Sequence, residues 1–212
     1  ALGAHRQDGI LEDDAVGEQA AHRALRLRVA GGTARVVRLD EGQPFEFTRE
    51  RRAILDDMLT KYPSDQKRSA VLGALYLAQE QEGYLTASGM RHVAGILDMT
   101  AAEVEDVATY YVMFFKERVG KYVLQVCRTL SCALGGAERV TEALSDKLGI
   151  KVGETDPSGM FTLLEFECLG ACDRAPVVMV NNELWHEKAT PESCGKLVDD
   201  LKTRGGAVLS RC

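Results

Sequence analysis

The sequence has no pair of cysteines spaced C-x-x-C, which removes a thioredoxin-type dithiol from consideration. It has neither G-x-G-x-x-G nor a P-loop, so no nicotinamide or flavin site of its own is visible, and Gly135-Gly136 reads as a helix start rather than a phosphate cradle. No apolar run approaches the roughly eighteen residues that span a bilayer. Positive charge is not in surplus either: 26 Lys and Arg stand against 32 Asp and Glu, a net charge of −6, which argues against a nucleic-acid surface. Even Arg49-Glu50-Arg51-Arg52 reads as a solvated helix face. An apolar signal segment ahead of a small-residue cleavage site is missing, which points to a reducing compartment. The acidic residues Asp8, Glu12, Asp13 and Asp14 are unlike an intact mitochondrial transit peptide. The four histidines, His5, His22, His92 and His186, show no ligand spacing, and each reads as structural or exposed. With 45% hydrophobic and 27% charged residues over 212 positions, an ordinary globular chain of one large or two small domains remains.

What the sequence does have is four cysteines in two close pairs, Cys127 with Cys132 and Cys168 with Cys172, in the pattern C-x4-C…C-x3-C. A bridged di-iron centre needs two tetrahedral irons, each completed by two thiolates, so two short segments giving two thiols apiece suit it. The residues between the cysteines are small or carry hydroxyls, and their backbone amides can turn toward sulfur; Gly170 is the foremost candidate for such a contact. Structural zinc takes the same four thiolates, although its loops usually close as C-x2-C. Disulfides are open to any paired thiols. The plant-type ferredoxin spacing C-x4-C-x2-C is not matched. Iron and sulfur lead, with zinc and disulfides as the alternatives. Cys194 shares a helical face with Leu197, Val198 and Leu201 and reads as a small packed hydrophobe, while Cys212, the last residue, reads as exposed.

The pattern divides the chain into an extension over 1–45, a helical bundle over 46–117, an α/β domain over 118–206 and a tail over 207–212. In the extension, Leu25-Arg-Leu27-Arg-Val29 and Val36-Val37-Arg-Leu39 predict a small hairpin turning at Gly31-Gly32, in a segment that wraps a partner or hangs free. The helical part predicts four helices: Arg49 to Lys61 capped by Thr48; Ser64 to Glu82 stopped by Gly83; a third after Thr86 to Met99; and a fourth from the Thr100–Glu103 capping box. This last carries Val104, Val107, Ala108, Tyr111 and Phe115 on one face. Beyond Gly120 the prediction is β-α-β-β-β-α. Its elements are a strand over 122–126 running into Cys127, a helix over 135–148, and a strand over 161–167 ending at Cys168. A hairpin over 177–187 turning at Asn181-Asn182 follows, then a helix capped by Thr190-Pro191 and running to Arg204. Trp185 reads as packed. Arg128 and Arg174 would raise the potential of a bound centre, whereas Glu167 and Asp173 would lower it.

That order resembles a thioredoxin-like fold lacking its middle helix, and Pro176 stands where such folds carry a cis proline, so the Ala175–Pro176 bond is predicted cis. The stretches Val119 to Cys127 and Leu148 to Thr155, and above all Glu167-Cys-Leu-Gly-Ala-Cys172-Asp-Arg-Ala-Pro176, resemble the E subunit of NADH:quinone oxidoreductase, respiratory complex I. In the helical part Arg68-Ser-Ala70, Ala78-Gln79, Gly83-Tyr84-Leu85 and Val107-Ala-Thr-Tyr-Tyr111 agree with it. The resemblance covers about 45 to 205. It implies an α+β protein with one [2Fe-2S] cluster on Cys127, Cys132, Cys168 and Cys172, and no catalytic residue or substrate site of its own. It further implies an FMN- and NADH-binding flavoprotein partner with which single electrons are exchanged, and other subunits of a peripheral arm. The place it implies is cytoplasmic, peripheral at the inner face of the inner membrane, or the matrix side if mitochondrial, without membrane insertion. The alternatives are the equivalent diaphorase subunit of an NAD-linked hydrogenase or formate dehydrogenase, or a non-redox zinc scaffold.

Overall fold

The computed structural model describes residues 44–208 and two short strands nearer the start of the chain. The chain divides into two compact units, Ala1–Gly42 and Gln43–Cys212. In the first, β1 (Ala24–Arg26) and β2 (Val36–Arg38) run antiparallel with Leu25 opposite Val37. These are the strands of the predicted hairpin; its glycine turn, His5, His22 and Cys212 lie outside the described residues.

In the second unit four helices come first. Helix α1 (Arg49–Leu59) starts at Thr48, whose hydroxyl accepts from the Arg51 amide, and ends two residues before Lys61. The second helix does not begin at Ser64. After Pro63 the amides of Gln66 and Ser69 bond three residues back, so the chain passes through a 3-10 helix (Lys67–Ala70) before α2 (Val71–Glu82) takes the wider turn. Gly83 closes α2 at φ +80°, the left-handed position for which a glycine stands there. Helix α3 (Ala87–Leu97) is capped by Thr86 and closed by Asp98, near Met99 as predicted. Helix α4 (Ala101–Tyr110) has both bonds of the Thr100–Glu103 capping box. It stops at Tyr110, and Tyr111 turns extended. The helical count therefore breaks, and Phe114, not Phe115, sinks into the core. That core joins Leu55, Leu75, Val93, Leu97 and Val104, all fully buried. Each such side chain contributes about 1.5–3 kcal/mol by leaving water.

A four-stranded sheet follows, in the order β4-β3-β5-β6. Its strands are β3 (Tyr122–Cys127), β4 (Phe161–Phe166), β5 (Val178–Val180) and β6 (Leu184–His186). Strands β3 and β4 are parallel, which requires a crossover; β5 and β6 are antiparallel neighbours beyond β3. The crossover holds one helix more than predicted: a short α5 (Leu130–Leu134) precedes α6 (Ala137–Leu148), and Gly136 caps α6. Asn181 and Asn182 take φ of +53° and +59° in the three-residue loop between Val180 and Leu184, a left-handed backbone that asparagine tolerates. The Ala175–Pro176 bond is cis, as predicted. Helix α7 (Pro191–Arg204) ends the fold with a 3-10 helix (Gly205–Val208), whose Val208 is buried, so ordered packing continues beyond residue 206. Tyr122, Leu124 and Val126 share one buried cluster with Val140 and Leu144 of α6 and Leu197, Val198 and Leu201 of α7.

Primary amides join the helical segment to the sheet. The Met113 carbonyl accepts from Gln79 Nε2 at 3.0 Å and from Asn182 Nδ2 at 3.3 Å. Asn182 in turn accepts from Gln125 Nε2 at 2.6 Å through Oδ1, and its backbone N–H donates to Gln125 Oε1 at 3.2 Å. Gln125 is fully buried in β3, and this exchange satisfies both ends of its side chain.

Candidate metal centre

Parallel pairing sets the site. Cys127 ends β3 directly opposite Phe166, which ends β4, so the chain leaves both strands at the same end of the sheet. The Arg128 amide still bonds the Phe166 carbonyl at 2.9 Å, carrying the ladder one step into the exit. From there α5 carries Cys132, where the sequence alone suggests a loop, while Cys168 follows β4 by two residues and Cys172 opens a 3-10 turn (Cys172–Arg174). Backbone register thus brings two thiol segments 41 positions apart in sequence, from Cys127 to Cys168, to one end of the fold.

The thiols lie as two couples. Cys127 and Cys132 are buried and hydrogen-bonded to each other; Cys168 and Cys172 are exposed, with their sulfurs 3.5 Å apart. Among the described residues no group of three or more His, Cys, Asp or Glu side chains is gathered to hold a metal ion; the arrangement is one of pairs. Two thiolates per metal is the donor set that a bridged two-metal group asks for.

Donors converge on these sulfurs. The Gly170 amide, singled out from sequence, donates to Cys168 Sγ at 3.4 Å, with Gly170 at φ +77°. The Thr129 hydroxyl lies 3.2 Å from Cys127 Sγ and also bonds Cys168, and the Ser131 hydroxyl bonds Cys172. The amides of Leu169 and Thr129 donate to Cys127 and that of Val177 to Cys132. The donation crosses between the segments in both directions.

The acidities reflect this cradle. Burial pushes the Cys127 thiol up, but the Thr129 hydroxyl and amide and the Leu169 amide outweigh it and hold the thiol below the usual range. Burial pushes Cys132 up to about 11, helped by the bond to Cys127. The Gly170 amide and the bond from Cys172 lower Cys168, and that same bond to Cys168 raises Cys172. In each couple one thiol is held below the usual range and the other above it.

The flanking charges are tied up in ion pairs. Arg128 forks Glu167 through Nη2 at 2.6 Å and Nε at 3.1 Å, tying one ligand segment to the other. Arg174 pairs with Asp173 at 3.1 Å and Glu187 at 3.3 Å. Trp185 is not packed in the core: it is 45% exposed, and its indole N–H donates to the Leu169 carbonyl, between the exposed cysteines, at 3.1 Å. Leu130 and Leu134, on either side of Cys132, are 75% and 81% exposed. Cys194 is fully buried beside Leu197 and Val198, as the helical spacing predicts. His186 bonds the Ser193 hydroxyl at 2.9 Å, and His92 lies between Phe45 and Phe47, so both are structural. Sequence reasoning misses Thr129 and Ser131 as donors in their own right, although hydroxyls two and four positions after a ligand cysteine are a visible signal.

A mixed sheet with a crossover helix, a cis proline ahead of β5 and two thiol couples at the strand ends defines a thioredoxin-like protein. The chain belongs to the thioredoxin-like [2Fe-2S] ferredoxin family, whose model matches residues 55–202. It is 43% identical over 157 residues to the E subunit of NADH-quinone oxidoreductase from Rickettsia felis, covering 74% of this chain and 93% of that one. It is 40% identical over 167 residues to NADH dehydrogenase [ubiquinone] flavoprotein 2, mitochondrial, of Dictyostelium discoideum, covering 77% of this chain and 66% of that one. Among solved structures, an NAD+-reducing [NiFe]-hydrogenase in the air-oxidized state shares the fold with a TM-score of 0.56 at 16% identity, over 68% of this chain and 24% of that chain.

Proposed function

We propose that this chain is the electron-transfer subunit of an NADH:quinone oxidoreductase, with Cys127, Cys132, Cys168 and Cys172 holding one [2Fe-2S] cluster that exchanges single electrons with FMN on a partner flavoprotein. The observation that carries the reading is the meeting of two thiol couples at the shared end of parallel strands β3 and β4. Such a cluster takes up one electron at a time, whereas NADH gives two as a hydride, so a flavin between them is required. The chain's own residues do the rest. The backbone amides and two hydroxyls around the sulfurs stabilise their negative charge, the buried couple keeps water from one side, and the exposed couple leaves the other side open.

The partner reading is supported by the rim. Leu130, Leu134 and Trp185 expose large apolar area beside the thiols, and apolar anchors near a redox centre suit a docking face. The helices over 46–117 serve as a bundle that meets further subunits of the peripheral arm, and the segment over 1–45 as an extension that wraps one of them. No helix among the described residues is long and apolar enough to cross a membrane, consistent with a place on the cytoplasmic or matrix side of the inner membrane. The diaphorase of an NAD-linked hydrogenase is the second reading, favoured by the shared fold with the hydrogenase chain.

Anaerobically purified full-length chain should contain about two irons and two acid-labile sulfides, and give the EPR signal of a reduced [2Fe-2S] group on dithionite addition. Serine at any of the four ligand positions should remove or alter the visible absorbance, while Cys194→Ser leaves it unchanged. A colourless protein with one zinc would overturn the assignment. The subunits that co-purify with the native protein distinguish the two parent complexes.

A further inference from the structure

Apart from the thiols themselves, every donor to the four sulfurs except two belongs to the backbone, and one of those two touches both cysteine segments. The Thr129 hydroxyl lies 3.2 Å from Cys127 Sγ, at the end of β3, and bonds Cys168, beyond the end of β4. The other, on Ser131, reaches only Cys172. Between a hydroxyl and a free thiol either atom can donate. A sulfur bound to iron has no proton, so there the hydroxyl must be the donor.

We propose that the Thr129 hydroxyl sets the reduction potential of the cluster, as a side-chain donor to Cys127 Sγ at the junction of the two cysteine segments. The proposal rests on the cluster assignment above. Reduction adds one electron and therefore one negative charge to the group, with no bond to the chain broken. A hydrogen bond to a ligand sulfur is stronger in that more negative state, so it favours the reduced form and raises the potential. The charged neighbours lie in ion pairs, Arg128 with Glu167 and Arg174 with Asp173 and Glu187, and a substitution at Thr129 leaves them in place. The amides of Gly170, Leu169 and Val177 persist under any substitution at Thr129, so the cradle survives the change that removes this one hydroxyl. Thr129 is a positioning and tuning residue, not a ligand.

The test is an EPR-monitored redox titration of the full chain loaded with iron and sulfide, with dithionite as reductant. Thr129→Val keeps the side-chain shape and removes the hydroxyl; its midpoint should fall by about tenfold in the one-electron equilibrium constant, about 59 mV. Thr129→Ser restores the hydroxyl and should restore the parent midpoint. A midpoint in Thr129→Val equal to that of the parent, with the signal intact, overturns the proposal, and so does a fall in Thr129→Ser as large as in Thr129→Val. If the valine variant does not take up the cluster, Thr129→Ala removes the same hydroxyl without an added methyl and is judged by the same two comparisons. A parent protein with no [2Fe-2S] signal overturns the cluster assignment, a result distinct from an unmoved midpoint.

Discussion

Gly170 offers a substitution whose cost can be worked out from backbone geometry alone. It sits between Cys168 and Cys172 at φ +77°, and a Cβ added there would meet nothing within 4 Å. Gly170→Ala therefore introduces no clash, only left-handed strain of about 1–2 kcal/mol. The stiffer unfolded chain returns about 0.4–1 kcal/mol, leaving a net loss of about 1 kcal/mol. For a chain of this length that is a drop of about 2–4 °C in Tm. The Gly170 amide still points at Cys168 Sγ, so the visible spectrum of the loaded protein should be unchanged. Asparagine tolerates left-handed backbone better than alanine, and Gly170→Asn should recover part of the loss. Thermal melts followed by far-UV circular dichroism on parent and both variants measure this. An alanine variant as stable as the parent, or an asparagine variant worse than the alanine one, would refute the reasoning. So would bleaching of the visible spectrum, since the cost would then arise at the sulfurs and not in φ.

Two further outcomes follow from polar contacts away from the thiols. The Glu103 carboxylate is lowered to about 2, chiefly by the Thr100 amide and then by its bond to Arg68. A depressed carboxylate stabilises the fold fully above its unfolded value near 4.5 and ceases to do so as pH falls through about 2, so parent and Glu103→Gln should differ in Tm at neutral pH and converge near pH 2; a gap independent of pH would contradict this. Gln125→Leu leaves the half-buried Asn182 amide without its partner, at about 1–3 kcal/mol, and a urea midpoint equal to that of the parent would show that the pair contributes nothing.

Much of the fold is legible where a local signal has one physical cause. The Thr100–Glu103 box, Gly83 and Asn181-Asn182 each satisfy a backbone requirement that few residue types meet, and each stands where the sequence predicts it. The pairing of the thiols is legible for a related reason, since four or five residues of separation keep two cysteines within reach of each other. What is not legible depends on neighbours distant in sequence. Helix α5 has only five residues, too few for an apolar period to register, and it forms because Thr129 and Gly135 bracket a turn fixed by the exit from β3. Phe115 falls out of the core because the helix unwinds at Tyr111, where the Phe115 amide is drawn to Gln79 Oε1 at 2.7 Å. Alternation says little about Trp185 on a strand three residues long; at the edge of the sheet, its bond to the Leu169 carbonyl decides where it lies.

The run of amides from Gln79 through the Met113 carbonyl and Asn182 to Gln125 ends two residues before Cys127. A cut in the linker after α4 would therefore not release a clean sheet domain, because the Gln79 and Asn182 amides both bond the Met113 carbonyl in that linker. A displacement of the helices is carried toward the root of the first cysteine segment through four hydrogen-bonded groups. The helical segment is thus mechanically part of the electron site, though it supplies none of the sulfur.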